Sequence, residues 1–551
     1  MLNFNKYDNN LLFLPLGGSG EVGMNVNLYQ YKGEWIMVDL GVGFANDYMP
    51  GIEVIVPDIS FIAKRRKNLK AIILTHAHED HYGAVPLLWE ELRCPIYATK
   101  FTAECLRTKL ESYGMIKSVP ITEIPENGSF KIGEFDLEFV NMTHSIPEMN
   151  GLIIKTDEGV VFHTGDWKLD ENPVIGNVSN INRLKQIGDN GVLAMICDST
   201  NVMREGHSGS EGSLTEHFHK IISEAKQLVA VALFASNVAR IDLISRVAMK
   251  LGRKIAISGR SLLRIIGVAQ SCGYLQGIEF CDIKSCSGIP RNKLLLLCTG
   301  CQGEKLAAMN RIIDGSLDSD ITLNEGDCVI FSSKIIPGNE HRIFRLFNKL
   351  ALRGINLITE YTHDVHVSGH PCKDELKAMY DIIKPNILVP VHGEHIHILE
   401  HQKMAENHGI KEVIKLHNGC VLNLSPGKPE VVGQVQIGYF GVDMNMLLHP
   451  EEDVMRMRRI MSVAGVVFAS VVLSSSMDLI KTPSVIAPGV LDRSKDADIF
   501  HKITHEIESS MVKRKPHNTE NAIKVIKLAI RAVCRSEINK EPYVYAHIDI
   551  I

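Results

Sequence analysis

The run KAIILTHAHEDHYGAV, residues 70 to 85, constrains this chain more than any other stretch. An apolar strand ends at Thr75, and three histidines and two acids follow within the six residues from His76 to His81. Alternate residues of an extended segment point the same way, so His76 and His78 can converge on one cation. Asp80 and His81 fall in the turn beyond, where they can face a second. Imidazole and carboxylate donors suit zinc, and two ions about 3.5–4 Å apart suit the hydrolysis of phosphate esters. The competing explanation is a polar loop that happens to be rich in histidine. The density of ligand-type side chains at the end of a strand weighs against it.

Two ions need more donors than one loop carries, and the sequence supplies the rest singly. NMTHSIPE (141–148) offers His144, VFHTGDWKLD (161–170) offers Asp166, and VPVHGEH (389–395) offers His392, each after an apolar or β-rich run. Asp166 has the chemistry of a carboxylate shared between ions. A lone histidine at a strand end is ordinarily structural; these gain weight by completing the first cluster.

GGSGEVGMN (17–25) contains a G-x-G-x-x-G pattern, with Asp39 following at the distance of a ribose-binding acid. A dinucleotide loop must open a helix, whose N-terminus meets the pyrophosphate. Here Val26, Leu28 and Tyr29 follow, and NVNLYQY, the turn KGE and WIMVDLG read as a β-hairpin. A tight glycine turn between strands is expected instead of a nucleotide cofactor.

A chain of 551 residues exceeds one ordinary core, so two to four domains are expected. With 45% hydrophobic and 22% charged residues it reads as globular. A net charge of -5 argues against a protein that coats nucleic acid by bulk electrostatics, but leaves room for a local basic groove. The twelve cysteines form no repeated C-x-x-C frame. The first residues lack a basic segment followed by a long apolar core. VAGVVFASVVL (463–473) is too short to span a bilayer. No membrane association and a reducing, cytoplasmic compartment are therefore expected. The texture changes along the chain: strands and turns to about residue 205, then βα alternation around LVAVALFAS, KLLLLCTG and DCVIFSS to about 360. Strand-to-loop transitions return to about 455, and a last unit contains the helix NAIKVIKLAIRAVCRS and the strand YVYAHIDI. AKRRKNLK (63–70) reads as a solvated face more readily than as a nucleic-acid patch, and MVKRKPH (511–517) as an interdomain linker.

The order H-x-H-x-D-H, lone His, lone Asp, distant His resembles the metallo-β-lactamase fold. In that fold the early acid, here Asp39, lies behind the metals and orients a ligand. CDSTNVMREGHSGSE (197–211), HVSGH (366–370) and PVHGEH (390–395) are similar to the three signature motifs of β-CASP nucleases, and carry Asp198, His370 and His392. GGSGEVGMN, MPGIEVIVPDISFI, THSIPE, HTGDWKLD, CTGCQGE, IPGNEHRIFRL and KPNILVPVHGEH resemble the ribonuclease J family in particular, densely over residues 10–400 and loosely in the tail. The fold so implied is α/β: a metallo-β-lactamase αββα sandwich (1–205 and 361–455) interrupted by an α/β β-CASP domain (206–360). A small C-terminal α+β domain (456–551) suited to oligomerisation follows. Two positions depart from the family pattern. Ala239 stands in FASNVARI where His is expected, and Cys301 stands in CTGCQGE where Ser is usual.

The resemblance implies two zinc ions per subunit held by His76, His78, Asp80, His81, His144, Asp166 and His392, with manganese or magnesium as alternative activators. Asp80, Asp198 and His370 are the implied catalytic residues, His370 protonating the leaving oxygen or stabilising the phosphorane. Ser368, the Gly369 backbone, His366, Val367 and His370 form a donor-rich loop fit to hold a phosphate. Ser236 and Asn237 contribute across the cleft or cap a helix. The expected substrate is single-stranded RNA with a 5′-monophosphate, degraded 5′→3′ with possible endonuclease action, in mRNA decay and rRNA maturation. A homodimer or homotetramer and partners in an RNA-degradation complex are the expected assemblies. The alternatives are a DNA-directed β-CASP nuclease, a metal-free scaffold and a small-molecule hydrolase. The full ligand set speaks against the scaffold, and the inserted domain, which would narrow the cleft, against the small-molecule enzyme.

Overall fold

A computed structural model of the chain describes residues 3–286, 288–315 and 321–551. Two sheets carry the first part. One has eight strands in the order Glu430–Gln434, Cys420–Ser425, Leu11–Gly17, Val26–Tyr31, Glu34–Val38, Leu69–Ile73, Ile96–Ala98 and Ile121–Glu123. The other has seven: Ser129–Ile132, Phe135–Asn141, Asn150–Thr156, Gly159–His163, Val192–Asp198, Pro385–Val391 and Glu412–Val413. Phe13, Tyr29, Ile36, Ile73 and Leu422 of the first sheet share one buried core with Phe139, Leu152, Val161, Ile196 and Val389 of the second. Helices Ile181–Asp189, Lys373–Ile383 and His395–His408 cover the outer face of the second sheet through Leu184, Leu376, Met379, Tyr380 and Met404. This is the αββα sandwich expected, and strands from residues 385 onward complete both sheets.

The interruption is an α/β domain with a six-stranded sheet in the order Phe280–Asp282, Lys254–Ser258, Leu294–Cys298, Val229–Ala232, Cys328–Phe331, Asn356–Ile358. All its pairings are parallel. Such strands are buried on both faces, which is why LLLLC and CVIF are uninterrupted apolar runs.

The hairpin forms as read: Val26–Tyr31 pairs antiparallel with Glu34–Val38, and Lys32 and Gly33 both take positive φ, the two-residue turn that suits twisted strands. No helix opens in the glycine loop. Ser19 and Gly20 instead pair with Gly393 and Glu394, and the Gly18 carbonyl accepts the His392 N–H at 2.6 Å. A side chain on Gly18 or Gly20 would collide with Asn25 or His395, so these glycines let the loop lie against the backbone that carries His392.

The chain folds as two compact units, Met1–Gly43 with Val56–Gly438, and Phe44–Ile55 with Tyr439–Ile551. In the second, strand Val466–Leu473 lies between Leu479–Ile486 and Tyr543–Ile550, and helices Ala497–Arg514 and Thr519–Ile538 bury one face of this sheet. Met49 and Ile52 pack with Leu448 and Met455 in a smaller cluster. The linker expected at 511–517 is corrected here. Lys513 and Arg514 finish a helix, where cations suit the dipole, and Lys515 and Pro516 turn the chain into the next helix of the same unit. Among the described residues no helix is long and apolar enough to cross a membrane.

Candidate functional site

Neighbouring strand tips build the site. Gly159–His163, Val192–Asp198 and Pro385–Val391 run parallel side by side, and Asp166, Asp198 and His392 stand at or just past their carboxyl ends. This is where open α/β sheets place ligands. His144 follows strand Phe135–Asn141. His76 follows Leu69–Ile73, His78 caps the helical turn Glu79–Tyr82, and Asp80 and His81 lie within that turn. Asp39 and His392 both hold positive φ, a strained state that persists only where surroundings enforce it.

Three groups of side chains have ligand atoms within 4.8 Å of one another: His76, His78, His144 and Asp166; Asp80, His81, Asp166 and His392; Asp166, Asp198, His370 and His392. Asp166 belongs to all three. Its Oδ2 lies 3.2 Å from His81 Nε2 and 3.9 Å from both His76 Nε2 and His144 Nε2, and its Oδ1 lies 3.7 Å from His392 Nδ1.

The hydrogen bonds behind these rings set their tautomers. His81 Nδ1 donates to Asp39 Oδ2 at 2.7 Å, and His144 Nδ1 donates to the Gly369 carbonyl at 2.6 Å. Thr75 Oγ1 gives its proton to Asp39 and so accepts from His76 Nδ1 at 3.0 Å. The neutral His76 and His144 rings therefore turn Nε2 lone pairs inward, 3.0 and 3.2 Å from His78 Nδ1. One proton cannot satisfy three converging nitrogens; a cation can. Burial pushes His76 and His144 well below the usual imidazole range and His78 to about 4. Burial also opposes charge on His81 and His392, yet Asp166 and its neighbouring acids raise both, His392 to about 10. The buried carboxylates thus demand positive charge, which the donor set fits a divalent metal to supply.

Four family models match along the chain. They are described as "Beta-lactamase superfamily domain" over residues 35–187, "Ribonuclease J, beta-CASP domain" over 226–350, "Zn-dependent metallo-hydrolase RNA specificity domain" over 354–415 and "Ribonuclease J C-terminal domain" over 453–549. The chain is 40% identical over 538 residues to a Ribonuclease J of Sinorhizobium meliloti, covering 97% of this chain and 95% of that one. The chain belongs to the ribonuclease J family. A Ribonuclease J of Synechocystis sp. is 34% identical over 92% of this chain and 79% of its own length. A crystal structure of a protein of unknown function from Enterococcus faecalis shares the fold, with a TM-score of 0.51 at 15% identity over 75% of this chain and 99% of that one.

As a ribonuclease J-family member of the metallo-β-lactamase and β-CASP class, this chain is a metal-dependent, RNA-cleaving hydrolase. Its HVSGH loop adjoins the cluster. His370 Nδ1 donates to Asp198 Oδ2 at 2.8 Å and lies 4.0 Å from Asp166. Asn201 Nδ2 donates to Ser368 Oγ and to the His370 carbonyl. Gly369 is the residue the space requires, because a Cβ there would stand 2.7 Å from His144. His366 is half-buried, its Nδ1 enclosed without a partner, and desolvation, then the charges of Arg240, Arg204, Lys334 and Lys168, hold its ring neutral.

Of the pair expected across the cleft, Asn237 caps helix Val238–Lys250, accepting from Arg240 N–H at 2.9 Å, and Ser236 is half-buried beside it. Ala239, in the first turn of that helix, lines a small cavity with His144, Ser145 and Glu211. Cys301 is buried, its carbonyl accepting from Ser333 Oγ at 3.4 Å. In AKRRKNLK, Arg65 lies on the Phe61 ring and Lys70 pairs with Glu34, as a solvated face does.

Sequence reasoning missed several residues. Thr75 and Thr200 orient His76 and His392; Thr200 Oγ1 is 2.7 Å from both Asp198 Oδ1 and His392 Nδ1. Both adjoin motif residues, a signal that could have found them. Arg240 gave none. Fully buried, it grips Glu211 at 2.7 and 2.8 Å and donates to the Val365 carbonyl, just before His366. Arg240→Met leaves the Glu211 carboxylate buried and unpaired, and is expected to cost about 3–5 kcal/mol of unfolding free energy. Urea denaturation should show that cost shrinking when Glu211→Leu is added.

Proposed function

We propose that this chain is a zinc-dependent 5′→3′ exoribonuclease that favours 5′-monophosphorylated RNA, with endonuclease action available, in mRNA decay and rRNA maturation. The observation that carries the reading is the loop from His366 to His370. Its last residue is bonded to Asp198 beside Asp166. Its first is a half-buried imidazole whose Nδ1 is enclosed without a hydrogen-bond partner and whose protonation burial and the charges of Arg240, Arg204, Lys334 and Lys168 oppose. Four residues of extended chain span at most about 14 Å, the reach of a nucleotide or two. A terminal phosphate held on this loop would lie within that reach of the reacting groups beside Asp166.

His76, His78 and His144 on one side, and Asp80, His81 and His392 on the other, would hold two zinc ions joined by Asp166, with manganese or magnesium able to substitute. When bound, the metal makes a nucleophile of water at neutral pH and neutralises phosphate charge. Asp39, Thr75, Thr200 and the Gly369 carbonyl keep the ligand rings in the required tautomer. His370, steadied by Asp198, gives a proton to the departing ribose 3′-oxygen, so the downstream product keeps its 5′-phosphate. Ser368 and the Gly369 N–H hold the terminal phosphate, and Ser236 and Asn237 border the strand's path. We assign residues 1–205 and 361–455 to the metallo-β-lactamase domain, apart from 44–55 and 439–455, which fold with the C-terminal unit. Residues 206–360 are assigned to the β-CASP domain and 456–551 to a domain for self-association as a dimer or tetramer.

The test is digestion of one RNA bearing either a 5′-monophosphate or a 5′-triphosphate. Mononucleotides are expected from the monophosphate at a rate at least tenfold higher. Equal release from both would remove the 5′-sensing role, and faster degradation of a matched DNA would reverse the substrate assignment.

A further inference from the structure

The groups around Asp166, Asp198 and His370 come from three segments far apart in sequence, and one buried side chain joins all three. Glu375, in the first turn of helix Lys373–Ile383, is fully buried and forms no ion pair among the described residues. Its Oε1 accepts from the Leu169 N–H at 3.0 Å and from Ser208 Oγ at 2.7 Å. Its Oε2 accepts from the Ser208 N–H at 2.8 Å and from the Cys372 N–H at 2.9 Å. The four acceptor positions of a carboxylate are thereby filled.

Leu169 lies three residues after Asp166, Cys372 two residues after His370, and Ser208 in the loop that leaves Asp198. That loop is also fastened to the start of the same helix, where the Lys373 and Asp374 N–H groups donate to the Arg204 and Gly206 carbonyls. Three of the four donors to Glu375 are main-chain groups, so the carboxylate fixes the paths of the segments and not their side chains.

We propose that Glu375 is a positioning residue for RNA cleavage, holding the three segments in the register that sets Asp166, Asp198 and His370 against one another. This rests on the roles given above to those residues. A reacting group displaced by about 1 Å can cost 10²-fold in rate, so the anchor's effect falls on turnover, whereas RNA binding and metal binding have other supports.

The sharp probe is Glu375→Gln, which keeps the volume but puts an amide N–H₂ against donors. The Ser208 hydroxyl can turn and accept, but the Leu169, Ser208 and Cys372 N–H groups cannot. Either amide orientation therefore leaves a main-chain N–H unmet. In the metal-loaded, full-length enzyme acting on 5′-monophosphorylated RNA, kcat is expected to fall about ten- to hundredfold, with KM and metal content near the parent's. Ser208→Ala, which removes one donor and no charge, is expected to lower kcat by a few-fold and serves if the Gln variant does not fold. Unchanged kcat in the folded variants, or a loss matched by lost metal or lost folded fraction, would overturn the proposal. His370→Ala, run alongside, separates the two readings: if it retains parental turnover, the roles assigned to the reacting groups fail first.

Discussion

Asp166→Ala is expected to lower turnover by four orders of magnitude or more, since water without its metal returns from a pKa near 7 to about 15.7. His392 serves two of the three groups and each other ligand one; Asp166 serves all three, with Oδ2 toward His81, His76 and His144 and Oδ1 toward His392. Losing it leaves the imidazoles of both halves without the carboxylate that joins them. Metal per chain, measured on dialysed protein, should fall by at least half, and added zinc or manganese should not restore cleavage. Asp166→Asn is the stricter version, because it keeps the volume and one carbonyl oxygen while removing the charge. Parental metal content together with parental turnover in Asp166→Asn would mean that the reaction centre lies elsewhere.

What could be read from the sequence follows from how local each signal is. His76, His78, Asp80 and His81 declare themselves within one loop, and the hairpin at Val26–Val38 within a dozen residues. His144, Asp166 and His392 are weak singly and gain meaning only as a set. The glycine loop shows the limit of a pattern. Its spacing fits a nucleotide fold, the strand after it excludes one, and its partner, the backbone at 392–394, lies too far along the chain to be guessed. Sheet order is illegible for the same reason: Phe13 pairs with Leu422, and nothing in either strand names the other. Glu375 escapes because three of its four donors are main-chain groups, which carry no sequence signature, and Arg240 because its side-chain partner Glu211 lies in a distant segment. The basic run at 511–517 misleads because charge at a helix end and charge in a linker look alike until the helix is seen.

His370→Ala is expected to lower kcat by about 10²–10⁴-fold, the usual worth of a placed proton donor, while leaving the metal in place. His370 is more exposed than its neighbours in the cluster His392 and His144, its side chain 22% accessible against 4% and 1%. It can therefore meet a substrate atom with Nε2 while Nδ1 is held by Asp198. Asp198 is oriented in turn: the Thr200 N–H and Oγ1 occupy its Oδ1 at 2.8 and 2.7 Å, which leaves Oδ2 for the imidazole. Asp198→Asn replaces that acceptor with an amide that can donate to Nδ1, so the charged ring is no longer stabilised and kcat should drop toward the His370→Ala level. The decisive comparison is the double variant. If Asp198 acts through His370, removing both costs no more than removing His370 alone, as groups that work as a unit behave. If the losses multiply and the metal content falls with them, Asp198 is serving the cluster directly, as its 3.5 Å approach to His392 Nδ1 would permit.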